Sequence, residues 1–346
     1  MKKTLLAFIS ICILLISCSN SKKAEPVTLS ATKQSNENPV CIIFDTDLGN
    51  DIDDVLALQM LLNYHKQGKI NLLGISISKA NPLTIEYIDG FCNYNGLPNM
   101  PLGYVYKGAM PEDGNYLRQT LETVVDGEKI LKPQRYVSDS IPEGYKFLRR
   151  MLVSQPDQSV VLVVVGQETN ISRLLKSKAD EYSDLNGVDL VRKKVKFISI
   201  MGGHFGSNAF PEWNIKTDLE SAQLVFSLCP VPVIASGYEI GDALLYPHTS
   251  IQNDFSNPEK NPLCVSYYNW GHMPYDRQTW DLTSVLVAVE PGEEYFSYSP
   301  YGTITIDSEG NSVFVENDKG KHRYLILGSS NTEDVVSKLV RVVTGK

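Results

Sequence analysis

The sequence of 346 residues has no Cys-x-x-Cys pair and no extended run of basic residues. The missing pair argues against a zinc site built on cysteine. The four cysteines beyond the N-terminal leader are scattered, at Cys41, Cys92, Cys229 and Cys264. The sequence is compatible with a disulfide, but we predict that these cysteines are buried thiols. A formal net charge of -8 at pH 7, with no basic patch, argues against nucleic acid as a partner.

Beyond residue 38 the chain also lacks an internal repeat and a linker rich in Pro, Gly or Ser. Residues 39–346 are numerous enough for one large α/β domain or two smaller ones. Because nothing divides this stretch, we predict a single domain over 39–346.

The N-terminal segment has the composition of a targeting signal. Lys2 and Lys3 precede a short apolar stretch, Leu5 to Ile16. A positive start followed by a short apolar run is typical of a secretory signal peptide, and the run is short for a membrane span.

The end of that apolar stretch resembles a bacterial lipobox, Leu-x-x-Cys, in which the cysteine becomes the lipidated first residue of the mature chain. Residues 1–18 are therefore predicted to be a lipoprotein signal peptide with Cys18 as the lipidation site. An ordinary signal peptide or an anchor helix is the alternative. Residues 19–38 are polar without periodicity, which predicts a flexible tether. The expected location is outside the cytoplasm, lipid-anchored to a bacterial membrane on its periplasmic or cell-surface side.

Beyond the tether, apolar runs rich in β-branched residues alternate with segments of helical spacing. The predicted strands are 40–44, 70–77, 159–165, 195–201 and 231–235, and the predicted helices are 53–64, 82–94, 143–153, 170–176 and 218–228. This alternation predicts an α/β fold, a Rossmann-like, mostly parallel sheet with helices on both faces. Segments 301–306, 312–315 and 323–327 predict a small antiparallel C-terminal unit, followed by a helix at 332–343, whereas 103–139 is irregular.

Polar segments follow three of the predicted strands directly. They are the acidic stretch after 40–44, the turn 166–170 and the turn 202–204. In parallel sheets ligands bind beyond the carboxyl ends of the strands, so we expect these segments to converge on one edge.

The acidic stretch is the most informative part of the chain. Its five aspartates are Asp45, Asp47, Asp51, Asp53 and Asp54. Carboxylates this close repel one another, and burial adds to the cost. A hard divalent cation is the simplest partner that would offset both effects.

Three other interpretations fit this stretch less well. An EF-hand loop needs Gly at its sixth position and Glu at its twelfth, where this chain has Asn50 and Leu56. A haloacid-dehalogenase-type phosphatase would use Asp45-x-Asp47, but five carboxylates are unsuited to a dianionic phosphate. Helix capping explains one or two of the acids, not five.

The stretch resembles the Asp-x-Asp-Pro-Gly-x-Asp-Asp motif of inosine–uridine-type nucleoside hydrolases, calcium enzymes that cleave the N-glycosidic bond of ribonucleosides. Two features differ. Leu48 replaces the proline, and two extra residues stand between Gly49 and the pair Asp53-Asp54.

The resemblance implies a role for each aspartate. Asp47 matches the residue that both ligates calcium and acts as general base, and Asp54 matches a bidentate calcium ligand. Asp53 matches the acid that binds ribose hydroxyls, with Asp51 of the insertion as its rival. Asp45 matches a supporting carboxylate.

Further segments resemble the family in the right order. The turn 166–170 matches its Gly-x-x-Thr-Asn turn, which implies that the Thr169 carbonyl ligates calcium, although a helix N-cap would also suit a threonine there. Met201-Gly202-Gly203 precedes the residues that match its ribose-binding set. Those residues are Asn208, Glu212 and Asn214, and Asn81 after the second strand matches a further ribose ligand.

Asp281, at the start of an apolar helix, matches the last calcium carboxylate, with an N-cap as the alternative. In the family a histidine that assists the departing base often precedes this aspartate, whereas here the residue is Trp280. Trp280 or Trp270 could stack on the base instead. The candidate donors to the base are His204, His248, Tyr267, Tyr268 and His272.

The resemblance therefore implies calcium-dependent hydrolysis of a ribonucleoside, or a related riboside, to ribose and free base, as in nucleoside salvage. The alternative is a lipoprotein that binds ribosides without cleaving them. The expected partners are Ca²⁺, a small nucleoside, and a membrane reached only through the lipid. A homo-oligomer is compatible with the sequence.

Overall fold

The computed structural model describes residues 39–136, 140–292, 295–328 and 332–346. The predicted signal peptide, its Cys18 and the tether at 19–38 lie outside the described residues. In the described part of the chain, no helix is both long enough and apolar enough to cross a membrane.

The described segments alternate between strands and helices through most of the chain. The strands are β1 Val40–Thr46, β2 Ile70–Ile77, β3 Leu102–Tyr104, β4 Val124–Val125, β5 Glu128–Lys129, β6 Val160–Val164, β7 Val195–Met201, β8 Val233–Ser236, β9 Leu245–Tyr246, β10 Arg277–Gln278, β11 Ser297–Tyr298, β12 Gly302–Ile306, β13 Ser312–Glu316 and β14 His322–Ile326. The helices are α1 Asp53–Lys66, α2 Leu83–Tyr94, α3 Leu117–Glu122, α4 Gly144–Val153, α5 Thr169–Lys176, α6 Gly187–Lys194, α7 Trp213–Thr217, α8 Leu219–Leu228, α9 Tyr238–Asp242, α10 His248–Asn253, α11 Pro262–Trp270, α12 Trp280–Val289 and α13 Thr332–Thr344.

The central sheet is mostly parallel, as predicted. Its strands follow the order β13-β12-β14-β8-β7-β6-β1-β2-β3, and β11 pairs with β14. Every neighbouring pair from β3 to β14 along this order is parallel. β1 pairs with a strand on each side, and its Cys41 lies opposite Asn71 of β2 and Val160 of β6. The aspartates that follow β1 therefore lie at the end of an inner strand of the sheet.

Helices cover both faces of this sheet. On one face, Val160, Leu162 and Val164 of β6 share a buried cluster with residues of α4, α5, α6 and α8. The alternate residues Val161 and Val163 are also fully buried and point to the opposite face. There α12 packs against β6, β7 and β8, and α1 packs against α12. A strand buried on both faces explains the continuous apolar runs in the sequence.

The C-terminal antiparallel strands are not a separate sheet. β14 pairs in parallel with β8, where His322 lies opposite Val233, while β12 pairs antiparallel with β13. The predicted antiparallel unit is present and extends the edge of the central sheet. The irregular stretch 103–139 contains the short helix α3 and the small β4–β5 hairpin, in addition to the end of β3.

All four described cysteines are free thiols. Cys92 and Cys264 are buried, which confirms the prediction for these two. Cys41 and Cys229 are only partly buried.

Candidate active site

A cavity of about 540 Å³ lies at the carboxyl ends of the parallel strands. Its wall includes Asp47 after β1, Val165 after β6 and Met201 at the end of β7, which confirms the predicted convergence on one edge. The other wall residues are Asn50, Asp51, Asp53, Asp54, Glu112, Asp113, Gly114, Asn115, Glu212, Trp213, Asn214, Tyr238, Trp270, Arg277, Trp280 and Asp281. The wall is therefore strongly acidic, with aromatic side chains contributed by α7, α9, α11 and α12.

Three buried carboxylates form the acidic centre of the cavity. Asp53, Asp54 and Asp281 each offer an oxygen, and these oxygens lie within 4.8 Å of one another. Burial, together with repulsion from acidic neighbours, raises the pKa of all three well above the usual aspartate range. Thr46 Oγ1 donates to Asp54 Oδ1, and the Asp281 backbone N–H donates to Asp53 Oδ2 at 3.1 Å.

This donor set fits a hard divalent cation. All the grouped ligand atoms are carboxylate oxygens, which Ca²⁺ prefers, and a cation among them would remove the repulsion that raises their pKa values. The resemblance assigned Asp53 to the sugar and Asp54 with Asp281 to the metal. The structure groups Asp53 with the other two, so its carboxylate is also placed to ligate a metal.

Asp47 lies on the same wall and is nearly buried. Gln167 Nε2 donates to its Oδ2 at 2.7 Å. Burial raises the pKa of Asp47 to about 6, while the bond from Gln167 and the charge of Lys79 oppose the rise. A carboxyl group with a pKa near neutrality is suited to accept a proton from water. Sequence reasoning missed Gln167, whose position in the 166–170 turn was its only signal.

Asp45 does not line the cavity and lies behind it. Asn170 Nδ2 donates to Asp45 Oδ2 at 3.0 Å and to Ser76 Oγ at 2.9 Å. Burial raises the pKa of Asp45 to about 7. This placement agrees with the supporting role predicted for Asp45, because its bonds tie β1 to β2 and α5 below the cavity floor.

Thr169 is buried at the start of α5, and its hydroxyl donates to Asp218 Oδ2. The hydroxyl therefore faces α8 rather than acting as an N-cap. Thr169 is not among the residues that line the cavity. The ligand role of its carbonyl stays a prediction.

Asp51 of the two-residue insertion is paired with an arginine. Arg277 Nε donates to Asp51 Oδ1 at 2.8 Å, and Arg277 Nη2 donates to Asp51 Oδ2. Both residues line the cavity, and the Arg277 side chain is only 16% exposed. Both carboxylate oxygens of Asp51 already accept hydrogen bonds from Arg277. Asp53 is therefore the better candidate of the two for binding the sugar hydroxyls.

Glu212, directly before α7, and Asn214, in the first turn of α7, both line the cavity. Glu212 accepts hydrogen bonds from the backbone N–H groups of Asn214 and Ile215, at 3.0 and 3.3 Å, and so caps α7. Burial raises the pKa of Glu212 to about 7. Asn214 Nδ2 donates to the Val165 carbonyl at 2.8 Å, which fixes its side chain at the end of β6.

Three predicted contacts are not brought to the cavity wall. Asn208 is exposed in a turn. Asn81 donates to the Pro111 carbonyl and to Asp113 Oδ1, and its own oxygen accepts from Leu83 N, so it joins the start of α2 to the neighbouring loop. His204 packs against Phe210 and Tyr238, with ring centroids 4.7 and 5.5 Å away. Asn81 and His204 are thus engaged by other residues, whereas Asn208 lies at the surface.

The other candidate donors are also absent from the cavity wall. His248 pairs with Asp276 at 2.6 Å, and the Tyr267 hydroxyl donates to the Tyr275 carbonyl. Neither Tyr268 nor His272 is among the lining residues.

Both candidate stacking residues, Trp270 and Trp280, do line the cavity. Trp280 Nε1 donates to the Tyr238 carbonyl at 2.9 Å, and Trp270 Nε1 donates to the Asn50 carbonyl at 2.9 Å. The Arg277 guanidinium carbon lies 4.2 Å from the Trp270 ring centroid and 5.0 Å from that of Trp280. Both indoles are therefore fixed on the wall, and both contact the same cation.

The inserted Asn50 joins several segments around the cavity. Its carbonyl accepts from Asn115 Nδ2 at 2.7 Å, its Nδ2 donates to Glu112 at 3.0 Å, and its Oδ1 accepts from the buried Lys79 at 2.8 Å. Sequence reasoning missed Lys79 and the loop 112–115. A lysine directly after a strand is the one signal that could have drawn attention to them.

Comparisons with known proteins agree with this geometry. Residues 42–338 match the family model described as inosine-uridine preferring nucleoside hydrolase. A curated relative, the pyrimidine-specific ribonucleoside hydrolase RihA of Enterobacter sp. (strain 638), is 32% identical over 126 residues, a match that spans 34% of this chain and 34% of the relative.

Solved structures share the fold over nearly the whole chain. A plant nucleoside hydrolase, PpNRh1, has a TM-score of 0.66 and 16% identity, covering 89% of this chain and 100% of its own. A purine-preferring ribonucleoside hydrolase from Gardnerella vaginalis has a TM-score of 0.65 and 17% identity, covering 88% and 98%. Because the family model spans well over half of the sequence, the chain belongs to the inosine-uridine preferring nucleoside hydrolase family.

Proposed function

We propose that the protein is a calcium-dependent enzyme that hydrolyses the N-glycosidic bond of ribonucleosides, or of a related riboside, to ribose and free base. The observation that carries the proposal is the placement of Asp47 beside the grouped carboxylates of Asp53, Asp54 and Asp281 in one cavity. The family membership supports the same reaction.

The residues fit a calcium ion. Asp54 and Asp281, with the Thr169 carbonyl and Asp47 expected from the resemblance, would hold it, and Asp53 lies close enough to join them. When bound, the ion supplies positive charge that anchors sugar hydroxyls and acidifies water.

The chain's own residues account for the remaining chemistry. One Asp47 carboxylate oxygen accepts a proton from the water that attacks the anomeric carbon, a step that contributes on the order of 10²–10⁴-fold. Gln167 holds the other oxygen and so orients the carboxylate. Glu212 and Asn214 line the wall where sugar hydroxyls would bind, and both are fixed by bonds to the backbone. The acidic wall favours the positive charge that develops on the ribosyl ring.

Sugar release is the direct test. The purified chain from residue 39 onward is incubated with inosine, uridine and adenosine, with calcium or with a chelator, and reducing sugar is measured. Release that requires calcium and is lost in Asp47→Asn supports the enzyme. Binding of nucleosides by calorimetry without any release would favour the riboside-binding lipoprotein instead.

We also propose that the full-length protein is exported and held at a bacterial membrane by lipid on Cys18. The apolar stretch and its Leu-x-x-Cys ending support this. The expected result is that the intact protein sediments with membranes and that Cys18→Ser moves it to the soluble or unprocessed fraction. Unchanged membrane association in the variant would refute the lipid anchor.

A further inference from the structure

The cavity wall carries one basic side chain among the residues that line it, and that side chain is Arg277. The guanidinium contacts the fixed indoles of both Trp270 and Trp280. Trp280 directly precedes Asp281, so this part of the wall adjoins the grouped carboxylates where the sugar would bind. A group attached to the anomeric carbon would therefore extend along the same wall.

Arg277 keeps hydrogen-bonding capacity toward the cavity. Its guanidinium carries five N–H groups, and its bonds to Asp51 and Gln278 use one each on Nε, Nη1 and Nη2. Two N–H groups remain after these bonds. Cation–π contacts with two indoles and the paired carboxylate fix the plane of the group, so the remaining donors have a defined direction.

Several other side-chain donors on this wall already have partners. The indole N–H groups of Trp270 and Trp280 donate to backbone carbonyls, and the Tyr238 hydroxyl donates to Asp242 at 3.2 Å. The side-chain amide of Asn115 donates to the Asn50 carbonyl. Arg277 contacts both indoles and keeps two N–H groups, so it can donate to a polar group that binds beside them.

We propose that Arg277, positioned by Asp51, stabilises the departing base by hydrogen bonds rather than by proton transfer. The proposal rests on the proposed function. Heterolysis of the C–N bond leaves its electron pair on the base, and in bases such as uracil or hypoxanthine the negative charge spreads onto carbonyl oxygens. An all-donor guanidinium matches such acceptors. The base anion takes its proton from solvent after release, while Asp47 takes the proton of the attacking water.

Asp51 has a second effect in this arrangement. An unpaired arginine beside the reacting sugar would oppose the positive charge that develops there. The carboxylate of Asp51 offsets that charge while leaving the outer edge of the guanidinium to donate. The two-residue insertion therefore supplies Asp51, whose negative charge offsets that of Arg277 beside the reacting sugar.

The test compares two substrates that share ribose but differ in leaving group. Uridine needs help to expel its base, whereas 4-nitrophenyl β-ribofuranoside expels a stable phenolate. The double variant Asp51→Asn/Arg277→Met removes the pair without leaving an unpaired carboxylate. We expect kcat/KM for uridine to fall about 10²-fold, as for loss of one oxyanion donor. The loss for the nitrophenyl riboside should be at least about tenfold smaller.

Two further variants accompany the test. Arg277→Lys keeps the positive charge but lacks the planar set of N–H donors. Its kcat/KM for uridine should therefore lie between those of the unaltered enzyme and the double variant. The control is the exposed ion pair of Asp189 and Arg192 on α6, away from the cavity. The same double change there, Asp189→Asn/Arg192→Met, should leave kcat/KM for uridine and for the nitrophenyl riboside unchanged. Thermal melting checks that each variant is folded.

Equal losses on the two substrates, or no loss on uridine, would overturn the role of Arg277. Failure of the unaltered enzyme to cleave either substrate would instead refute the proposed hydrolase, and this inference with it.

Discussion

Replacing Asp54 with asparagine should stabilise the protein in the absence of calcium. Two unit charges 4.8 Å apart repel by about 3.5 kcal/mol at an effective dielectric constant of about 20. Protonation already relieves part of this repulsion, because the pKa values of the grouped aspartates are raised. We therefore expect a gain of about 1–3 kcal/mol in the free energy of unfolding. Asparagine keeps an oxygen that can accept from Thr46, so the local bond survives.

Calcium should reverse the order of stability. An ion that binds only the folded protein stabilises it by about 2.7 kcal/mol when its concentration is 100 times Kd. That energy corresponds to several degrees in Tm for a chain of this size. The Asp54→Asn variant loses a charged ligand from the group and should show less than about a third of that shift.

Thermal melting of purified protein at pH 8, first with a chelator and then over a calcium titration, measures both effects. Asp318→Asn is the matched control, since Asp318 is exposed and lies away from the cavity. A variant that is less stable than the unaltered protein in chelator would refute the repulsion argument, and a variant that responds fully to calcium would show that Asp54 is not part of the metal site.

Three other substitutions distinguish a catalytic role, at Asp47, from roles in stability and binding, at Glu212 and Asn50. Asp47→Asn should lower kcat for uridine by about 10²–10⁴-fold while calorimetry still detects the substrate, and retained turnover would remove Asp47 as the base. Glu212→Ala should cost about 1 kcal/mol of unfolding free energy in urea through loss of the α7 cap and should raise KM, with a smaller loss for Glu212→Gln. Asn50→Ala leaves the buried Lys79 with fewer acceptors and should cost about 1–3 kcal/mol in urea, whereas Asn50→Asp keeps the acceptor and should cost less.

The inner strands β6, β7 and β8 were predictable because nearly all of their residues are buried, on both faces of the sheet. The bounds predicted at 70–77 and 195–201 coincide with β2 and β7. Local pattern failed where elements are short or weakly periodic, as in α3 and α9. It also missed α6, where Asn186 accepts from the Asp189 N–H in an ordinary cap that could have been recognised. The pairing of β14 with β8 depends on long-range packing, which no local pattern contains.

The site was predictable where its residues follow strands in one short motif. Asp47, Asp54, Glu212, Asn214 and Asp281 line one cavity because strand ends meet at one edge of the sheet. Arg277 could not be found this way, since its position at the cavity depends on tertiary neighbours far along the chain, such as Asp51. Asn208 matched by order alone, and its turn carries it into solvent.

The five close aspartates are accommodated because they have separate partners. One of them, Asp51, lies in the two-residue insertion, which is the main departure from the family motif. Asp53 and Asp54 are grouped with Asp281, Asp47 is held by Gln167, and the others have separate partners. Asp45 accepts from Asn170 below the cavity, and Asp51 is paired with Arg277 at its wall. Without Arg277, the inserted acid would add a further charge to an already repulsive centre. The insertion and the arginine therefore depend on each other, and a variant that removes only Arg277 should be less stable than one that removes the pair.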